Sequence, residues 1–166
     1  MNISELLLDG FGRIQEVVRE AVDGLDDKTL ATRPDGAGNS IAWLVWHLTR
    51  IQDDHLADAG GYEQVYTADG WHERLGLPFD AGDTGYGHSA DDVAAVQLSG
   101  EQLLGYYDAV HSRSLEYLQG LTDDDLDRIV DKNWNPPVTL GVRLISVLSD
   151  DLQHAGQAAY VRGLLS

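Results

Sequence analysis

A chain of 166 residues is long enough for one domain with a substantial core and too short for two comfortable ones. Its 28 Asp and Glu against 11 Lys and Arg give a formal charge of −17, which repels phosphate backbones and anionic bilayers, so neither nucleic acid nor a membrane is an expected partner. The absence of cysteine excludes a structural disulfide, a thiolate metal site and a cysteine nucleophile together; any thiol chemistry must use a thiol brought in as substrate.

The opening residues Met1-Asn2-Ile3-Ser4-Glu5 lack the basic start and apolar run of a signal peptide. No apolar stretch approaches the roughly 20 residues needed to span a bilayer. A cytoplasmic protein is the expectation.

The first predicted helix runs from about Ser4 to Val22, with Leu7, Phe11, Ile14, Val17, Val18, Ala21 and Val22 at the three-four spacing of an amphipathic helix. Gly24 stops it. A short helical turn over Leu25 to Leu30 and a loop at Arg33-Pro34-Asp35-Gly36 follow. Ser40 caps the second helix, which extends to about Ala59, where Gly60-Gly61 breaks it. Ile41, Leu44, Val45, Leu48, Gln52, Leu56 and Ala59 make its apolar stripe. His55 falls inside that stripe, and His47 sits at its flank on a line with Asp54.

Gly60 to His88 is the longest stretch without helical periodicity, and it is rich in aromatics: Tyr62, Tyr66, Trp71, Phe79 and Tyr86. A connection of that length can carry the chain across a bundle end. Ser89 and Asp92 resemble a capping box opening a third helix to about Leu118, which Gly100 and Gly105 weaken. Thr122 starts another short turn, and Trp134-Asn135-Pro136-Pro137 forces an extended loop. Thr139 caps the fourth helix, which runs to Leu165 with Leu140, Leu144, Val147, Leu148, Ala155, Ala158 and Leu165 as its stripe. No repeat and no β-rich region interrupts this order. The expected fold is all-α, one four-helix-bundle domain over residues 1–166. Trp71 and Trp134 are candidates for a pocket wall or for a homodimer interface.

Chemistry concentrates in Asp150-Asp151-Leu152-Gln153-His154. A carboxylate four residues before a histidine lies one turn below it, so both can reach one point, such as a metal ion. Two adjacent carboxylates towards the buried side of a helix need a compensating charge. A divalent cation supplies one; pairing with Arg50, Arg143 or Arg162 is the alternative. His47 is the best candidate for a third ligand, because it sits at the edge of its stripe as Asp150 and His154 do; three protein ligands would leave open coordination positions, as in a catalytic rather than a structural site. Nitrogen and oxygen donors without sulfur suit zinc, nickel or iron, and geometry alone does not select among them. His55 and His111 are expected as hydrogen-bonded core histidines or as supports for a ligand, Asp54 as a surface acid, and His72 and His88 as loop residues open to substrate contact. No Ser-His-Asp arrangement or phosphate-binding glycine loop is present.

Two segments carry a family resemblance. Ile41-Ala42-Trp43-Leu44-Val45-Trp46-His47-Leu48 resembles the second-helix motif, and His154-Ala155-Gly156-Gln157 the fourth-helix motif, of the DinB-like superfamily of metal-binding bundles. That superfamily is related to mycothiol- and bacillithiol-dependent transferases and to the N-terminal domain of maleylpyruvate isomerase. The resemblance implies an up-down-down-up four-helix bundle with a long crossover between helices 2 and 3. It also implies three metal ligands, here His47, Asp150 and His154. Many members have histidine at the Asp150 position, and the mycothiol-dependent ones glutamate; aspartate is shorter, so Asp150 and Asp151 both remain candidates. The implied activity is transfer of a low-molecular-weight thiol to an electrophile, with a divalent metal, zinc foremost, as cofactor. A metal-dependent hydrolase and a non-catalytic, stress-related binding bundle are the alternatives.

Overall fold

Capping side chains set where the long helices begin. The computed structural model describes all residues, Met1–Ser166. Helix α1 (Ile3–Val22) starts at Asn2, whose side chain accepts from the Glu5 N–H while Glu5 reaches back to the Asn2 N–H. A short helix α2 (Asp27–Ala31) leads to α3 (Ile41–Gly60), which Ser40 caps and which ends at Gly61 with φ +69°. The crossover holds three short helices, α4 (Val65–Ala68), α5 (Trp71–Leu75) and α6 (Ala90–Ala95). Then come α7 (Gly100–Gln119), strands β1 (Ile129–Asp131) and β2 (Val138–Thr139), and α8 (Leu140–Leu165). The chain is all-α apart from that small antiparallel ladder.

Packing joins α1, α3, α7 and α8 around one core. Leu7, Phe11, Ile14 and Val18 of α1 are buried at the spacing the sequence predicts. Helix directions follow from paired residues. Ser4 Oγ donates to Leu118 O and Arg19 meets Asp108, so α1 and α7 are antiparallel. Gln52 donates to Ser114 Oγ and Tyr117 OH to Ala59 O, so α3 and α7 run parallel. His47 lies beside His154 and His55 beside Arg143, which makes α3 and α8 antiparallel. Two parallel helices cannot be joined by a tight turn, hence the long crossover between α3 and α7.

That crossover is fastened to α3 by a buried ion pair. Arg50, fully buried, donates to the carbonyls of Ala81 and Asp83, to Gln64 Oε1 and to Tyr106 OH. Asp53, 3.5 Å from the Arg50 guanidinium, accepts from the Val65 and Tyr66 N–H groups and from Tyr106 OH. The two charges are committed to holding backbone, and the first half of α3 is buried on every side as a result.

Several expectations change. The predicted third helix is two helices: the Ser89–Asp92 capping box is real, but the chain extends at Val96, and a second box, Ser99 with Gln102, opens α7. Gly105 is no weak point, because a Cβ there would fall 2.8 Å from Trp71 Cη2; the glycine is the slot that receives the indole. Trp71 is therefore buried, with the Arg74 guanidinium 3.6 Å above its ring, and offers nothing to an interface. Trp134 is exposed. The aromatic stretch folds around α4 and α5 instead of running free, and the Trp134–Pro137 loop is the turn of the β1–β2 ladder. No helix is long and apolar enough to cross a membrane.

Candidate metal centre

Three side chains converge where α3 and α8 face each other. His47, Asp150 and His154 each offer a ligand atom, and those atoms lie within 4.8 Å of one another. The i, i+4 spacing on α8 stacks Asp150 below His154, and the antiparallel packing brings His47 opposite. The His47 and His154 rings meet edge to face at 4.6 Å.

Tautomers can be assigned from the partners. His47 Nδ1 contacts the Thr84 carbonyl at 2.5 Å, and His154 Nδ1 contacts the Asp150 carbonyl at 2.8 Å. A carbonyl only accepts, so each Nδ1 carries a proton, and in the neutral ring each Nε2 keeps its lone pair. The Asp150 carboxylate approaches His154 Nδ1 at 3.3 Å, yet its Oδ2 is buried without a hydrogen-bond partner. Two free imidazole lone pairs and an orphaned carboxylate oxygen are the donor set of a borderline divalent cation such as zinc, nickel or iron. These residues fit the group.

Ionisation favours the same reading at His47 and Asp150, whereas at His154 a bound ion would have to displace a proton. Burial lowers the His47 pKa, and His154 adds to the shift, while the Thr84 contact and Asp150 oppose it. Burial also lowers that of His154, but the Asp150 side chain and carbonyl outweigh it and the net shift is upward. Burial raises Asp150, yet His154, His47 and His55 together hold it below the usual carboxylate range. The Asp150 and His154 side chains keep 37% and 17% of their surface, so the centre opens to solvent on one side.

Asp151 does not join this group. It turns into the core, fully buried, with neither oxygen hydrogen-bonded, and burial and Asp150 push its pKa well up. Arg50, Arg143 and Arg162 do not compensate either acid. Arg50 serves the crossover, Arg143 bonds His55 Nδ1 (3.1 Å) and Asp131 (3.0 Å), and Arg162 donates to the Asp23 carbonyl. The charge that balances Asp150 must come from the histidines or from an ion.

The other candidates do not join the three-residue group. His55 accepts from Arg143 through Nδ1, and Asp54 accepts from Gln64. His111 is buried against the Tyr107 ring with its Nδ1 unpaired, and His72 contacts the Phe79 carbonyl. His88 is not a free loop residue. Its side chain is 6% exposed, its Nε2 lies 3.0 and 3.1 Å from the two Asp83 oxygens, and its Nδ1 accepts the Trp43 indole N–H at 3.0 Å. Trp43 in turn stacks on His47 at 4.7 Å and 11°. The glycines around Tyr86 were the available signal that this segment approaches a helix closely: Gly85 has φ +89°, and a Cβ on it would fall 2.9 Å from His47 Nδ1.

The fold and the site together define an all-helical bundle with a candidate metal site between two antiparallel helices. The chain belongs to the DinB superfamily, whose family model matches residues 11–158. It is also similar to the crystal structure of a conserved protein from Enterococcus faecalis, with a TM-score of 0.91 and 28% identity, over 99% of this chain and 98% of that one. No curated protein matches the sequence.

Proposed function

We propose that the chain holds one divalent cation through His47 Nε2, Asp150 and His154 Nε2, and uses it to transfer a low-molecular-weight thiol, of the mycothiol or bacillithiol type, to a small electrophile. One observation carries the metal reading: His47, Asp150 and His154 each bring a ligand atom within 4.8 Å of the others, while both histidines direct Nδ1 to carbonyls and leave Nε2 for a ligand bond. An ion there supplies Lewis acidity, which favours the ionised form of a thiol on its open side. In the transfer, the thiol S–H loses its proton to solvent, a C–S bond forms, and the leaving group departs with its electron pair.

The protein's own part is to hold the donors and limit water. Neutral His47 is kept available by burial, and the Trp43 indole walls one side of the centre. The complete lack of cysteine means that no internal thiol competes for the ion or for the electrophile. Support for thiol transfer over hydrolysis comes from the family resemblance; the same open position also suits activation of water.

The test has two stages. Untagged protein loaded with zinc is expected to retain close to one ion per chain, and His154→Ala to lose it; unchanged metal content in the variant refutes the site. The loaded protein is then incubated with mycothiol, bacillithiol, glutathione or cysteine and monochlorobimane. Metal-dependent conjugation that disappears in His47→Ala supports the transferase, whereas ester or amide cleavage without conjugation assigns the hydrolase.

A further inference from the structure

The crossover does more than connect helices, because its last turn touches the same histidine by two separate routes. The direct route is the Thr84 carbonyl on His47 Nδ1. The indirect route runs from the Asp83 carboxylate to His88 Nε2, from His88 Nδ1 to the Trp43 indole N–H, and from the Trp43 face to the stacked His47 ring. Asp83 and Thr84 are chain neighbours, so the two routes close a loop around one imidazole. We infer that the segment Asp83–His88 is a latch that sets the orientation and tautomer of His47, with Asp83 and His88 as positioning residues for the metal ligand.

Each part of the latch is itself fixed. Arg50 Nε holds the Asp83 carbonyl at 3.0 Å, which ties the segment to the buried ion pair of α3. The Asp83 carboxylate also accepts the Gly85 N–H at 2.8 Å, setting the turn that aims the Thr84 carbonyl. His88 lies nearly parallel to Trp46, 5.6 Å between ring centres, and 4.6 Å from the Phe79 ring, so its own plane is determined by packing. Gly85 leaves no room for a side chain: a Cβ would also crowd Trp46 at 3.0 Å and Trp43 at 3.3 Å. A crossover that merely needed anchoring already has Arg50. Convergence of two further routes on His47 requires a second reason, and the reason is the imidazole.

A metal-bound histidine is held in one tautomer by the partner of its other nitrogen, and losing such partners costs about 10–100-fold in metal affinity. Here that partner is a backbone carbonyl, whose position is set by Asp83 and His88. The affinity consequence rests on the metal reading above, whereas the tautomer consequence does not.

The experiment uses His88→Phe, which keeps the aromatic packing against Trp46 and Phe79 but removes both hydrogen bonds, with Asp83→Asn as the second variant. Folding is checked by circular dichroism, and the metal-free proteins are compared by nitrogen-15 NMR of the imidazoles. The expected result is a single Nδ1–H tautomer for His47 in the wild type and mixed tautomers in the variants. Zinc affinity is expected to fall about 10–100-fold in His88→Phe with one site per chain retained. Wild-type tautomer and wild-type zinc affinity in both variants overturn the latch. Failure of the wild type to bind zinc overturns the metal reading instead, and the latch is then decided on the tautomer alone.

Discussion

His111 shows what a buried imidazole costs when its Nδ1 finds no hydrogen-bond partner. It lies in the core against Tyr107, and its Nδ1 has no partner. Burial lowers its pKa, aided by Arg19 and opposed by Asp108. A depressed folded-state pKa means that the native state binds fewer protons than the unfolded chain below about pH 6.5. Stability is therefore fully present above that pH and falls as pH drops towards the folded value. The titratable and charged neighbours that matter are Asp108, Arg19 and Tyr107. His111→Phe keeps the ring stack and removes the titration, so urea melts between about pH 7 and pH 5 should show a shallower loss than in the wild type. An unchanged pH slope contradicts this account.

Residue-level reading picked out the same three residues that the fold brings together, because their signal is local on each helix. Asp150 and His154 are four apart, and His47 sits at the edge of a stripe; both facts survive any small error in helix boundaries. The choice between Asp150 and Asp151 was not legible. The two differ by about 100° around α8, and only the packing of α8 against α3 decides which faces His47. His88 was hidden for a different reason: a histidine in a loop carries no period, and its partners lie 5 and 45 positions away.

At the scale of elements, the crossover and α3 form one unit, and its centre is Arg50. The side chains of Arg50 and Asp53 are essentially inaccessible, so removing one leaves the other as an uncompensated buried charge. Arg50→Met is expected to destabilise the fold by about 3–5 kcal/mol. Adding Asp53→Asn should recover part of that loss, since the buried charge is gone and the amide oxygen still accepts from one of the Val65 and Tyr66 N–H groups, which now bond separate carboxylate oxygens. Chemical denaturation of the two variants measures both; a double variant weaker than the single one counts against the pairing. Because Arg50 also grips the Asp83 carbonyl, Arg50→Met should loosen the metal centre, seen as faster zinc loss to a chelator.

Element boundaries were readable where caps and glycines mark them and misread where a single period spans two pieces. Val93, Val96 and Leu103 are buried as predicted, but Val96 reaches the core from an extended residue between α6 and α7. The Ser99–Gln102 box was visible in the sequence, and continuous apolar spacing masked it. The β1–β2 ladder is three residues against two, too short to show alternation.

For the whole molecule, the net charge of −17 resists compaction, and a divalent cation bound at the α3–α8 junction would relieve some of it. A ligand that binds only the folded state adds roughly 2.7 kcal/mol at a hundredfold excess over its dissociation constant. For a chain of this size that is a rise of roughly 5–10 °C in Tm on zinc loading. Calorimetry with and without chelator tests it, and His154→Ala should show no such shift. The all-helical class was legible from four amphipathic periods. The parallel run of α3 and α7 was implied only by the family resemblance and the length of the crossover, since no local pattern encodes direction.

The distance along the chain between the two histidines has a mechanical consequence. His47 and His154 are 107 positions apart, and a shared ion ties everything between them into a closed ring with only α1, α2, the start of α3 and the end of α8 outside. Force applied at the two termini would then act on the flanks first and be carried across the ring by the ligand bonds. The enclosed segment stores roughly 370 Å of contour length that stays hidden until a ligand bond ruptures. Single-molecule pulling should release that length in a late step when zinc is present and lose the step in His154→Ala.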